Sequence, residues 1–278
     1  MNTLTDRVAV VTGAANGIGR SIALSLGREG CRLALVDIDQ PGLVALHESL
    51  ARDGVRATIH RGDVADRVRM SHLVGEVLDA HGGVHILVNN AGVMVEGLFG
   101  QTSLEDWQWV MDTNFWGTVH GCHYFLPHLS KADEAHIVVM SGLYGLIGVP
   151  GWSAYCATQF ALRGFAESLR EEIRGTSIGL TIVHPSAVNT GLGVSARGDD
   201  HELLARVQNF MRRDTLPPEL VAERTLDAIR QRRARVLVGN DAWLSDLIAR
   251  ALPVVGQDWF ARRYARAMGV ADMVRRKR

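Results

Sequence analysis

A doubly wound α/β domain is the fold class that the sequence predicts, and three patterns predict it. First, seven short apolar runs recur: VAVVTG (8–13), RLALVD (32–37), RATIHRGDV (56–64), HILVNNAG (85–92), AHIVVMSG (135–142), LTIVHP (180–185) and ARVLVG (234–239). Most are nearly continuous in Val, Ile and Leu, as strands covered on both faces must be. Second, stretches of helical period separate them, at about 17–30, 41–53, 66–81, 103–129 and 153–174. Strands alternating with helices, joined by right-handed crossovers, give a parallel sheet of about seven strands with helices on both faces. Third, no internal repeat, low-complexity tract or Pro/Ser linker divides the chain, so 1–278 reads as a single domain. Residues 191–217 interrupt the alternation with polar and charged sequence, the pattern of a substrate lid inserted beside a crevice. Residues 241–278 read as a C-terminal helical extension, apolar and basic together, closing on RRKR.

Composition narrows the function classes. The 278 residues are 47% hydrophobic and 22% charged, with 30 basic and 30 acidic side chains. That suits a globular chain with a sizeable core and lacks the basic excess of a nucleic-acid binder. Cys31, Cys122 and Cys156 form no CxxC pair, and so sparse and odd a count favours reduced thiols and a cytoplasmic setting. The first residues lack a signal-peptide pattern, and no run of about 18 apolar residues exists to span a membrane. His120, His123 and His128 share one helical stretch, but no carboxylate or Cys stands at a matching spacing, so no metal site is expected.

The first apolar run leads directly into TGAANGIG (12–19). A strand ending in glycine and opening a helix is the geometry that binds a diphosphate. Gly13 allows the tight turn, Gly17 lets the backbone approach phosphate oxygens, and Gly19 lets helix and strand pack closely. Asn16 and Ile18 complete the expected cofactor contacts of the turn. Asp37 ends the second run, 18 residues past Gly19, where a carboxylate accepts both ribose hydroxyls of an adenosine and repels a 2′-phosphate. With Ile38 next and no Arg or Lys in the turn, NAD is favoured over NADP. Asp63 and Val64, ending the third run, are placed to meet an adenine ring.

With these residues in place, the chain resembles the short-chain dehydrogenase/reductase family from about residue 5 to 190. The resemblance rests on TGAANGIG, Asp37, Asp63-Val64, NNAG (89–92), Asn114, Ser141 and Tyr155 in that order. It implies a Rossmann-type oxidoreductase. Asn89, Asn90, Ala91 and Gly92 would line the adenosine side and steady the central strand. Asn114 would hold a water in a proton relay, Ser141 would bond the substrate oxygen, and Tyr155 would exchange a proton with it. Pro185, Val188 and Thr190 would contact the nicotinamide carboxamide, with Ser186 standing where glycine is usual.

The family's catalytic helix reads Tyr-x-x-x-Lys, and here Gln159 stands in the lysine position. Ionising a free tyrosine at neutral pH costs roughly 4 kcal/mol. A cation about 5 Å away at an effective dielectric near 20 returns about 3 kcal/mol, which an amide cannot supply. Gln159 can still hydrogen-bond the nicotinamide ribose. Two functions therefore stand at this point: an NAD-dependent oxidoreductase of reduced activity, or a catalytically impaired NAD-binding regulatory or scaffold protein. Arg163, one turn further, is expected at solvent, and His184 as a structural residue.

The residues expected around the reacting carbonyl are apolar: Met94, Leu143, Tyr144, Val149 and Trp152, with Leu98, Phe99 and Leu146 beside them and Leu192, Val194, Phe210 and Met211 from the lid. No cation stands among them to clamp a carboxylate or phosphate. The expected substrate is a secondary alcohol or ketone on a bulky apolar body. In the family, helices equivalent to 103–129 and 153–174 pair between subunits, so Trp107, Trp109, Trp116, Phe160, Leu162 and Phe165 imply a homodimer or homotetramer. The 241–278 tail is expected to cover the domain or serve as an oligomer arm in preference to lying on a membrane.

Overall fold

The computed structural model describes residues 1, 3–193, 195–198, 204–206, 208–209 and 215–267. Val194, Phe210, Met211 and the RRKR sequence lie outside the described residues. Seven parallel strands form one sheet in the order β3-β2-β1-β4-β5-β6-β7. They are β1 (Val8–Thr12), β2 (Arg32–Asp37), β3 (Ala57–Arg61), β4 (Ile86–Asn89), β5 (Ala135–Met140), β6 (Ile178–Pro185) and β7 (Arg235–Val238). The helices are α1 (Gly17–Arg28), α2 (Gln40–Arg52), α3 (Arg67–His81), α4 (Leu104–Val110), α5 (Gly117–Leu129), α6 (Ser153–Glu172), α7 (Pro218–Gln231), α8 (Asn240–Ala251) and α9 (Val255–Ala267).

The continuous apolar runs are explained by burial on both faces. Along β1, Ala9 and Val11 join one core layer with Ile22, Leu26, Leu46 and Ile229, while Val8 and Val10 join the opposite layer with Leu73, Phe125 and Leu169. Side chains alternate in a strand, so a strand feeding two cores has no polar position to spare. Caps set the helix starts: Asp39 accepts from Gly42 N at α2, Asp66 from Val68 N and Arg69 N at α3, and Ser103 from Asp106 N at α4. At α1 the cap position, Asn16, makes no such bond, and its amide instead donates to Asp39 Oδ2.

Three boundaries differ from the sequence reading. The runs 56–64, 85–92 and 135–142 pair over fewer residues, because their C-terminal ends leave the sheet to form the crevice. The helix expected over 103–129 is broken by a π-helical turn, Met111–Trp116, between α4 and α5. Such a turn widens the helix locally and is frequent at functional sites; here it carries Asn114. The extension beyond 240 forms two helices, and α9 lies back on the loop after β5, where Gln257 exchanges hydrogen bonds with the Gly148 backbone.

The β4–α5 contact is close enough to be tested. A Cβ on Gly121 would lie 2.3 Å from Asn89 Oδ1, whose own amide donates to Cys122 Sγ at 3.3 Å. Gly121→Ala should lower unfolding stability by roughly 2 kcal/mol, read from urea denaturation. An unchanged midpoint would mean that the helix shifts freely off β4.

Candidate active site

The strand order reverses between β1 and β4, and the crevice outside their C-terminal ends is where doubly wound sheets bind ligands. Side chains from eight segments meet there. Gly13, Asn16, Gly17 and Ile18 line it at one end with Asp37, Asp63, Val64, Asn90, Ala91 and Gly92. Ser141, Leu143, Tyr144, Tyr155, Gln159, Pro185, Val188 and Thr190 line the other, with Met94 and Asn114 between. Gly19 sits beneath the turn, where a Cβ would stand 2.1 Å from Gly13 O. Val149 and Trp152 lie behind the wall; Trp152 packs edge-on against Tyr144 at 4.5 Å.

The glycine turn is held from outside itself. Asn90 Nδ2 donates to Thr12 O and Gly13 O, and Thr12 Oγ accepts from the Asn90 and Ala91 amides. Gly13 has φ +64 and no room for a Cβ, which would meet Ala91 Cα at 2.8 Å. Asp37 Oδ2 accepts from Ala15 N and Oδ1 from Asp39 N, fixing the carboxylate at the crevice edge. Asp39 stands beside it in the wall, a second carboxylate that sequence reasoning passed over.

The other end of the crevice is built on α6 and the loop after β5. Ser141 Oγ donates to the Gln159 carbonyl at 3.1 Å. Thr158, fully buried, is the hub behind it: its hydroxyl donates to Tyr155 O and accepts from Asn114 Nδ2 and Gln159 Nε2. Asn114 gives its other amide hydrogen to Val93 O and accepts from Val93 N. Both Asn114 amide hydrogens are thus spent on protein acceptors, and the side chain clamps the loop after β4 onto α6. Thr158 carried no motif signal, because a threonine on a helix is read as ordinary until its neighbours are known. Gln159 Oε1 is buried with no partner among the described residues.

Electrostatics at this end keep the phenols protonated. Burial, with Cys156 adjacent, raises the Tyr155 pKa well above the usual 10. Burial raises Tyr144 too, and pushes the Cys156 thiol up to about 11. Among the described residues no Lys or Arg lines the crevice. Arg163 is bound to Glu167 at 2.9 Å, and His184 donates Nδ1 to Gly142 O while burial holds its pKa down at about 4. The serine at 186 has a role of its own: its hydroxyl accepts from Ala242 N and caps α8.

The short chain dehydrogenase family model matches residues 7–201. The chain belongs to the short-chain dehydrogenase/reductase family. It is 37% identical over 258 residues to the putative oxidoreductase SadH of Mycobacterium tuberculosis, covering 91% of this chain and 93% of that one. It is 33% identical over 243 residues to dehydrogenase/reductase SDR family member 7B of Xenopus tropicalis, covering 85% and 78%. Among solved structures, a short-chain dehydrogenase/reductase from Burkholderia phymatum in complex with NAD superimposes with a TM-score of 0.86 at 29% identity, over 90% of this chain and 95% of that one. An alcohol dehydrogenase from Thermococcus sibiricus complexed with 5-hydroxy-NADP gives 0.72 at 25% identity, over 84% and 94%. The chain is therefore an oxidoreductase scaffold of this family with a nucleotide-binding fold.

Several expectations are redrawn by the packing. Trp109, expected at a subunit contact, lines the crevice, with the Arg197 guanidinium stacked 3.6 Å above its ring; Leu162 is buried in the core. Trp107 packs against the apolar cluster that contains Tyr144, whereas Trp116 and Phe160 remain exposed. Phe99 is exposed and meets Trp107 edge-on, and it is not among the described residues that line the crevice. Among the described residues, His120, His123 and His128 join no group able to hold a metal; His120 bonds Val64 O and stacks on Trp116. Residues 195–198 form a strap, with Arg197 bridged to Val95 and bonded to the Met94 and Glu96 backbones.

Under that strap, Glu96 is 2% exposed and neither carboxylate oxygen has a partner among the described residues. Burial alone pushes its pKa up to about 8 from the usual 4.5. The folded state then holds this proton more tightly than the unfolded chain, so folding stability declines as pH rises from about 4.5 to 8. Glu96→Gln should match the parent protein near pH 5 and exceed it above pH 8 by on the order of a few kcal/mol, read as a higher thermal midpoint. Equal midpoints at both pH values would place the carboxylate in water.

Proposed function

We propose that this protein is an NAD-dependent oxidoreductase that transfers hydride between the nicotinamide and a secondary alcohol or ketone carried on a bulky apolar body. One observation carries the reading: a single crevice joins an uncapped glycine-turn helix, a carboxylate-lined ribose end with no cation among the described residues, and the Ser141–Tyr155 pair. The residues fit the cofactor. The α1 start turns unpaired backbone N–H groups toward a diphosphate. Asp37 and Asp39 favour ribose hydroxyls over a 2′-phosphate. The unpartnered Gln159 Oε1 is an acceptor for a nicotinamide-ribose hydroxyl, and Pro185, Val188 and Thr190 flank the ring position. When bound, the nicotinamide supplies or accepts the hydride.

This chain's own residues manage the proton. Tyr155 exchanges it with the substrate oxygen while Ser141 turns its hydroxyl from the Gln159 carbonyl to hold that oxygen. A phenol kept protonated by burial is ready to donate, so reduction is served at neutral pH and oxidation calls for alkaline pH. Met94, Leu143, Tyr144, Trp109 and Leu192 exclude water and receive the apolar body. The Tyr144 hydroxyl, buried without a partner among the described residues, offers that body one donor. Exposed Trp116 and Phe160 support pairing of α5 and α6 in a homodimer or homotetramer. Three free buried thiols suit a reducing, cytoplasmic setting.

The missing cation gives the second reading, a binder that has lost catalysis. Titration of the purified protein should show NAD binding tighter than NADP by roughly a hundredfold, since like charges facing one another cost several kcal/mol. Equal or absent binding of both removes the assignment. A screen of apolar ketones and alcohols at neutral and alkaline pH then separates enzyme from binder, the latter showing no hydride transfer at any pH. Gln159→Lys should raise neutral-pH turnover by roughly a hundredfold and shift the pH–rate profile of alcohol oxidation downward. An unchanged profile would mean that the proton leaves by a route independent of this position.

A further inference from the structure

We propose that the outer face of α8 and α9 is a docking surface for an anionic lipid leaflet. Helix α9 has two faces. Gly256, Phe260 and Tyr264, four apart, turn inward; Phe260 and Tyr264 join the cluster that contains Tyr144, and a Cβ on Gly256 would stand 2.4 Å from Ile248 Cγ2. The opposite stripe, Val255, Trp259, Arg262, Arg263 and Arg266, lines a groove open to solvent. Helix α8 and the turn add exposed Trp243, Leu244, Leu247, Leu252 and Val254, the last 72% exposed. Seven of the fourteen exposed large apolar side chains of the described residues fall within residues 243–259. Apolar residues scattered singly over a surface need no explanation, but a cluster of this size does.

Charge selects the occupant. The whole chain is neutral, yet the groove carries Arg262, Arg263 and Arg266 against a single carboxylate, Asp258. On the groove itself Asp258 partly offsets Arg262, at 3.8 Å, while Arg263 lies over the Trp259 ring. A second copy docked face to face would bring the Arg262, Arg263 and Arg266 rows together, which like-charge repulsion disfavours. An anionic leaflet satisfies both features at once. Trp and aliphatic side chains enter the acyl boundary, and arginines lay their stems along it with guanidiniums at the phosphates. Among the described residues no helix is long and apolar enough to cross a membrane, so the contact is peripheral. Because the inner face of α9 packs on Tyr144, docking sets the crevice beside the leaflet, where a lipid-soluble alcohol or ketone is concentrated. That last consequence rests on the proposed function; the docking itself does not.

The test is sedimentation of the full chain with phosphatidylcholine vesicles, with and without roughly one third phosphatidylglycerol. Binding is expected only to the anionic vesicles, is expected to fall steeply at about 0.5 M salt, and should lose about fivefold per cation removed. Arg262→Glu with Arg263→Glu should weaken it more than tenfold, and so should Val255→Ser with Trp259→Ser, with thermal midpoints within a few degrees of the parent. Absence of binding to anionic vesicles at low salt overturns the proposal. So does light scattering that shows an assembly which Val255→Ser with Trp259→Ser dissociates, since the face then belongs to a second copy. Vesicle binding by a protein that takes up no NAD would sink the enzymatic reading and leave the docking surface standing.

Discussion

The Asn90 amide, donating to the Thr12 and Gly13 carbonyls, locks the glycine turn to the end of β4, and the rest of the site is built outward from that lock. Two chain segments nearly eighty residues apart are brought so close that Gly13 and Gly19 leave no space for a methyl group. Closeness here serves a purpose beyond packing. It aims the start of α1 into the crevice while its cap residue is diverted to Asp39, so the helix's first amides remain unspent. A helix whose opening N–H groups were satisfied by a side chain would offer a phosphate much less.

At the other end of the crevice the governing quantity is desolvation. Tyr155, Tyr144 and Cys156 share a buried cluster in which burial is the largest influence on each, and it opposes ionisation in all three. In the family pattern a lysine offsets that opposition. Gln159 donates to Thr158 and keeps an oxygen without a partner among the described residues, so this position carries hydrogen-bonding groups and no charge. Thr158 and Asn114, both neutral, carry the hydrogen bonds that hold α6 against the β4 loop.

The two terminal helices pack onto that end of the crevice. Ser186, at the position where the family has glycine, caps α8 through Ala242, and Arg235 of β7 pairs with Asp246 of α8 at 3.0 Å. Phe260 and Tyr264 then complete the wall behind Tyr144. A residue that first reads as a departure from the family pattern anchors an added layer, and that layer carries seven of the fourteen exposed large apolar side chains of the described residues.

The sheet, its strand count, the glycine turn and the residues of the crevice were legible from sequence, because each rests on local periodicity or on a motif whose spacing is set by covalent geometry. The crevice edges were less so. Strand ends that peel away, the π-helical turn at Asn114 and the Ser186 cap depend on partners distant in the chain. The same holds for Thr158, Asp39, Glu96 and Trp109, whose roles appear only once β4, α4, α6 and the 195–198 strap are side by side. By itself the sequence named the candidate residues and showed Gln159 where the family pattern has lysine. Tertiary structure alone decided how strongly water is excluded from Tyr155 and Glu96, and which face of α9 is left outside. Burial is a property of neighbours, and neighbours are not written along the chain.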